Sequence, residues 1–291
     1  MTVAYRRIPS TDPRLARHVR HDDRSRAYAF DTSGLSIVSA KHTRRIPVLD
    51  QGQLGSCTGN AGIGCLGTDP YYATVAGVSG RELTRRGTPQ AAHYSLDEAG
   101  AVQLYSDATA ADDYPGTYPP TDTGSDGLTI AKVLKAHDQI SGYQHTFSRD
   151  DALKALGVTP AIVGIPWTND MFNPDGDGRV HPTGSIAGGH EICADEVDAE
   201  NQRVWFTNSW GTSFGVNGRF YLSFADFGDL LSQQGDVTIF TPLTQPAPTP
   251  TPADADHQLL TDLEHWLAEH HVGDNARAKA AVLRWKTVKG L

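Results

Sequence analysis

Cysteine is scarce in this sequence. Only Cys57, Cys65 and Cys193 occur among 291 residues, and an odd, low count excludes a disulfide framework and leaves room for one bridge at most. No Cys-x-x-Cys pair is present. His190-Glu-Ile-Cys-Ala194 opens like a zinc-binding helix but lacks the second histidine, so no zinc pattern is complete. Asn173-Pro-Asp-Gly-Asp-Gly178 opens like a calcium loop, yet its twelfth position is Gly184 and not a bidentate glutamate, which makes it a plain turn. No metal and no cofactor are expected. Long apolar runs are missing too: none approaches the ~18 residues of a membrane-spanning helix. No apolar stretch follows Met1, so the sequence predicts no ordinary secretory signal and synthesis in a reducing cytoplasm, with association with a larger particle such as a virion left open. The net charge of -9 argues against a nucleic-acid partner. No internal repeat appears.

Glycine and tyrosine are plentiful, with 29 and 10 residues beside an apolar content of 38%, which predicts a core threaded by many turns. The chain divides into four parts. Residues 1–45 form an arm carrying Arg6, Arg7, Arg14, Arg17, Arg20, Arg24, Arg26, Lys41, Arg44 and Arg45 against four aspartates. The arm reads as a solvated extension, in preference to a basic strap lying on an acidic body. Residues 46–241 are the main body. Residues 242–253 are a Pro/Thr-rich linker, semi-rigid because each proline fixes φ and lacks a donor. Residues 254–291 read as a helical hairpin, with Leu259, Leu260, Leu263, Trp266 and Leu267 on one face. A hairpin of this size is too small to be stable alone, so it is expected to dock on the body, on a second copy or on an assembly partner.

Within the body, helical patterns come first: the run opening at Cys57, Thr129 to His137, and Asp150 to Leu156. Strand patterns follow at 161–165, 191–197, 203–207, 219–223 and 237–240. Such segregation predicts an α+β fold with a helical half and a sheet half.

One constellation carries chemistry. Cys57 follows a Gln-Gly-Gln-Leu-Gly-Ser turn and precedes a helical run, and a helix N-terminus stabilises a thiolate. Gly188-Gly189-His190 offers a base behind two glycines, where a substrate can approach closely. Asn208-Ser-Trp210-Gly offers an amide able to orient an imidazole.

These three blocks, Gln51 to Cys57, Gly188 to His190 and Asn208 to Gly215, resemble the signature blocks of the papain (C1) family of cysteine peptidases, in its bacterial or phage branch. His190 and Asn208 follow Cys57 by 133 and 151 residues, against roughly 130–150 in that family. The resemblance covers roughly residues 46–242. It implies a two-lobed papain-like fold with a helical half and an antiparallel sheet or barrel half, and an endopeptidase acting on peptide or protein substrates. It implies Cys57 as nucleophile, His190 as base, Asn208 as its orienter and Gln51 in the oxyanion hole. Trp210 matches the tryptophan that shields the Asn–His hydrogen bond, and Gly127 and Gly189 border the substrate. Leu54 and Thr58 replace a cysteine and an aromatic residue of the family pattern, so the family's structural disulfides are absent. Two other readings fit the same residues: acyl transfer by the same groups, as in transpeptidation or peptidoglycan cross-bridge cleavage, and a structural component, for instance of a phage tail, that carries such a domain.

Overall fold

The computed structural model describes residues 3–75, 84–85, 88–89 and 93–243. The chain divides into two compact units, Met1–Thr244 and Gln245–Leu291, and all described residues lie in the first. The expected C-terminal hairpin and most of the Pro/Thr linker fall outside the described residues.

The elements in chain order are β1 (Val3–Arg7), β2 (His18–Asp22), β3 (Ala40–Lys41), α1 (Cys57–Leu66), α2 (Tyr71–Val75), β4 (Thr84–Arg85), β5 (Thr88–Pro89), α3 (Glu98–Ala111), α4 (Gly127–Ala136), β6 (Gly142–Thr146), α5 (Arg149–Leu156), β7 (Ala161–Thr168), β8 (Ile186–Asp198), β9 (Arg203–Thr207), β10 (Arg219–Ser223), α6 (Phe224–Ser232) and β11 (Asp236–Thr241). Strands β10-β9-β8-β7-β11-β6 form one antiparallel sheet, with β3 added to β8. The architecture is therefore a helical region beside an antiparallel sheet, in agreement with the α+β expectation and with a papain-like two-lobed arrangement.

Helix α1 opens at Cys57 as expected, while α4 and α5 start two and one residues earlier than the periodicity places them, because their caps lie upstream. Asp126 caps α4 by accepting from the Thr129 N–H at 2.8 Å, and Ser148 caps α5 by accepting from Asp151 at 3.1 Å. Helix α3 has no counterpart among the expected elements: beside Leu104 and Tyr105 its buried face consists of Gly100, Ala101, Ala108 and Thr109, which give little apolar contrast.

Two cores flank the sheet. One packs α1, α3 and α4 against Ile162, Cys193 and Phe240. The other packs α5 and α6 against Val163, Ile192, Phe206 and Phe220. Strands β7 and β8 serve both, since Ile162 pairs with Cys193 and Val163 with Ile192, and successive side chains point to opposite faces. Cys65 and Cys193 are free, buried thiols of the first core. Among the described residues no helix is long and apolar enough to cross a membrane.

Every residue of α1 is buried, which requires close approach on all sides. A Cβ on Gly59 would run into the Ala101 carbonyl and lie 2.9 Å from Tyr105 Cβ, and one on Gly62 would lie 2.8 Å from Ile130 and 2.9 Å from Leu104. Gly59→Ala gains roughly 1 kcal/mol of helix propensity, but the atoms it meets are backbone and Cβ and cannot swing aside. Overpacking of about 1–3 kcal/mol wins. We expect Gly59→Ala to lower the midpoint of thermal unfolding by several degrees, as calorimetry of the full chain would read; an unchanged or higher midpoint would contradict this packing.

Candidate active site

Cys57 is the first residue of α1, so its thiol sits at the positive end of the helix dipole. It has no exposure. The backbone N–H groups of Glu191, Ala16 and Thr58 point at the sulfur, while burial, reinforced by the Glu191 charge, pushes the thiol up to about 12.

The neighbour of Glu191 on β8 is His190, also fully buried. Its Nε2 lies 2.8 Å from Asn208 Oδ1. That oxygen also accepts from the Ser209 N–H at 2.8 Å, which fixes which end of the amide faces the ring. An acceptor at Nε2 requires Nε2–H, leaving Nδ1 as the free lone pair of the neutral ring. Nδ1 has no hydrogen-bond partner. Trp210 stacks on the imidazole at 4.8 Å and 29°, and Trp167 meets it edge-on at 5.1 Å and 81°. Burial drives His190 down to about 4, aided by the nearby Arg14 charge and opposed by the Asn208 bond and Asp12.

Gln51 is held from both ends of its side chain. Its Oε1 accepts from Ser209 Oγ at 2.7 Å, and its Nε2 donates to Leu54 O at 2.7 Å and Arg14 O at 3.2 Å. The structure thus places Cys57 against the strand that carries His190, puts Asn208 on His190, and ties Gln51 to Ser209, the residue after Asn208. Gly127 stands at the first turn of α4, where its missing side chain leaves room for the Glu191 carboxylate. Gly124 and Ser125, a few residues earlier, provide a backbone edge that meets the N-terminal arm. Gly189 on β8 forms the opposite edge of that contact.

The N-terminal arm runs between those edges. This corrects the expectation of a solvated extension: Leu15, Arg17, His18 and Val19 are all buried. The Arg17 N–H donates to Gly189 O at 3.1 Å and the His18 N–H to Ser125 O at 2.8 Å, and both bridges are parallel. The groove floor admits a backbone because it is bare. A Cβ on Gly55 would come within 2.6 Å of Ala16 Cβ, one on Gly188 within 2.6 Å of Leu15 Cβ, and one on Gly124, at φ +76°, would strike the Ala16 carbonyl. Arg14 stacks over Trp210 at 4.4 Å, and His18 stacks on Tyr114 at 3.9 Å with its Nε2 2.6 Å from Thr123 O. Burial lowers the His18 pKa.

Sequence reading missed what lies beneath the arm. Arg17 is fully buried, paired with Asp236 and 3.5 Å from Glu191 Oε2. Glu191 directly follows the candidate base, but Arg17 and Asp236 lie at opposite ends of the unit, and no local pattern joins them. The charge imbalance of the arm was the available signal.

No family model matches this sequence, and comparison with curated proteins finds no relative. Solved structures do match. Xylellain, a cysteine protease from Xylella fastidiosa, is 18% identical over 84% of this chain and 100% of its own, with a TM-score of 0.58. Digestive procathepsin L 3 of Tenebrio molitor larval midgut is 13% identical over 81% of this chain and 76% of its own, with a TM-score of 0.51. The described unit of this chain has the papain-like cysteine-protease fold.

Proposed function

We propose that this protein is a cysteine peptidase whose groove is closed by its own N-terminal arm. The observation that carries the reading is the seating of Cys57, at a helix N-terminus, on the strand whose His190 is oriented by Asn208 at 2.8 Å. With the arm displaced, the thiolate attacks a peptide carbonyl and a C–S bond forms. The oxyanion is held by Gln51 Nε2 and the Cys57 N–H. His190 delivers its proton to the departing amine, then takes one from the water that hydrolyses the thioester.

The arm blocks this in two ways. Gln51 Nε2 is engaged by the Arg14 carbonyl, and the sulfur faces the N–H of Ala16 in place of a carbonyl carbon, so the arm survives in contact with the nucleophile. Desolvation acts as well. A thiol raised to about 12 beside an imidazole lowered to about 4 stays a neutral pair, and a thiol is a far poorer nucleophile than its thiolate.

The depressed histidine also sets a sign for pH. A group whose pKa is lowered under the arm binds fewer protons there than in water, so the closed form gains stability as pH rises and loses it as pH falls from about 6.5 through about 4. The His190 shift corresponds to at most about 3–4 kcal/mol at ~1.4 kcal/mol per unit, and His18 acts in the same direction.

Three outcomes test the proposal. A peptide epoxide should form one adduct, on Cys57, and Cys57→Ala should abolish both adduct and peptide hydrolysis while leaving the unfolding midpoint in place; persistent hydrolysis would end the assignment. Asn208→Ala should lower kcat/KM about 100-fold without abolishing turnover, within the range of general acid–base contributions. Amide-exchange protection at Arg17 and His18, corrected for the intrinsic pH dependence, should fall about tenfold or more between roughly pH 7 and 4.5; constant protection would show that the histidines do not hold the arm.

A further inference from the structure

Arg17 fills a pocket whose chemistry is unusual for a protein interior. The side chain is fully buried, and so is that of Glu191, while Asp236 retains 22% exposure. Both Glu191 carboxylate oxygens are buried without a hydrogen bond, 3.5 Å being the nearest approach of Arg17 Nε to Oε2. Burial above all, and then the charges of Asp236 and of the buried Asp126, raise the Glu191 pKa. Arg17 NH2 donates to Asp236 Oδ2 and, at 2.9 Å, to Gln234 O.

Two glycines give the pocket its room. A Cβ on Gly164 would collide with Arg17 Nε and come within 2.8 Å of Glu191 Oε2, and a Cβ on Gly127 would collide with Glu191 Oε1. On its far side Asp236 borders a cavity of about 370 Å³, which Asp126 and Gly127 also line. Asp236 thus borders open space while Glu191 is enclosed.

The pocket opens one residue along the arm from Ala16, whose N–H faces Cys57. When the arm leaves, it takes Arg17 with it. The carboxylates of Glu191 and Asp236 remain fixed on β8 and β11, beside the nucleophile and without their cation. Without a cation, burial pushes Glu191 toward its neutral form, and a second cation of the same reach restores the attraction to Glu191 and Asp236 that the empty pocket lacks. A neutral side chain of equal volume would fill the space without gaining that attraction.

We infer that Glu191 and Asp236 form a specificity pocket for a cationic side chain, arginine above all, within two residues of the bond being cut, and that Arg17 occupies it as a built-in surrogate for the substrate. The inference rests on the groove being a peptidase site, and its test separates the two.

The full chain carrying Arg17→Ala would be used, or Arg17→Met where the alanine variant does not fold. Acetylated peptide amides with arginine, citrulline or leucine at each of the two positions on either side of a central bond would compete with iodoacetamide for access to Cys57. Citrulline keeps the shape of arginine and removes the charge. The expected result is protection by an arginine peptide at least about tenfold below the concentration needed of its citrulline twin, at one position, because a desolvated charge pair is worth 1.5 kcal/mol or more. Adding Glu191→Gln or Asp236→Asn should reduce that ratio toward one. Equal protection by arginine and citrulline, a ratio that survives both carboxylate substitutions, or a Cys57 that stays unreactive in both Arg17 variants would each overturn the inference. Fluorogenic versions of the same peptides supply the second arm. Hydrolysis without an arginine preference would sink the pocket and keep the peptidase. Arginine-selective protection without hydrolysis would keep the pocket and sink the peptidase.

Discussion

The site depends on the alternation of a single strand. On β8, Gly188 and Gly189 leave the groove edge bare, His190 turns to one face and Glu191 to the other, as the two-residue period of a strand requires. The first face is aromatic and carries Asn208, so the imidazole is stacked, oriented and dry. The second holds the carboxylate over the groove, against Arg17. A slip of one residue in the pairing of β8 with β7 would exchange the two faces. The register is fixed by apolar residues further along the same pair, Ile192 on Val163 and Cys193 on Ile162, each needed in a different core. The cores therefore specify the site: the strand cannot satisfy both hydrophobic layers without also placing His190 and Glu191 where they are.

Helix α1 is the other half of that constraint. It brings the sulfur to β8 only because three of its residues, Gly59, Gly62 and Gly64, present no side chain to α3, α4 and Arg44. The glycine positions let those neighbours come close, while Ile63, Cys65 and Leu66 of the same helix fill the first core. The helix is positioned by what surrounds it, and the positive end of its dipole meets the thiol as a consequence.

How much of this was legible in the sequence follows from which interactions are local. The turn before Cys57, the glycines before His190 and the Asn208-Ser-Trp block each serve a short-range need, so each leaves a short pattern that can be read without the fold. The strands at 203–207 and 219–223 were legible for the same reason: each is a short run rich in aromatic and branched residues, alternating at Val204 and Phe206 and buried throughout at Phe220, Tyr221 and Leu222. The arm was not legible. Its ten basic residues look like a solvated surface because arginine usually is one, and nothing within residues 1–45 reveals that Arg17 meets a carboxylate at 191 and another at 236. The seat of Gly127 was hidden for a related reason: it stands in the first turn of α4 against Glu191, and the cap at Asp126 is visible only once the helix start is known.

An arginine is a poor choice for a plug if tight closure were the only requirement. Burying its charge sets desolvation against attraction to the carboxylates, and such pairs commonly gain little over a well-packed leucine. What the charged plug adds is conditionality. A leucine in the same space would bind through apolar contact that changes little with pH or with the charge of a competitor. Arg17 is held by groups whose charge is set by their surroundings, with Glu191 pushed toward its neutral form by burial and pulled back only by the arginine itself. The closed state is thus maintained by mutual compensation: each charge is tolerable because the other is present. Such a latch resists neutral ligands and yields to a rival cation that reaches the same carboxylates, which ties opening of the groove to the chemistry of what the groove is built to receive.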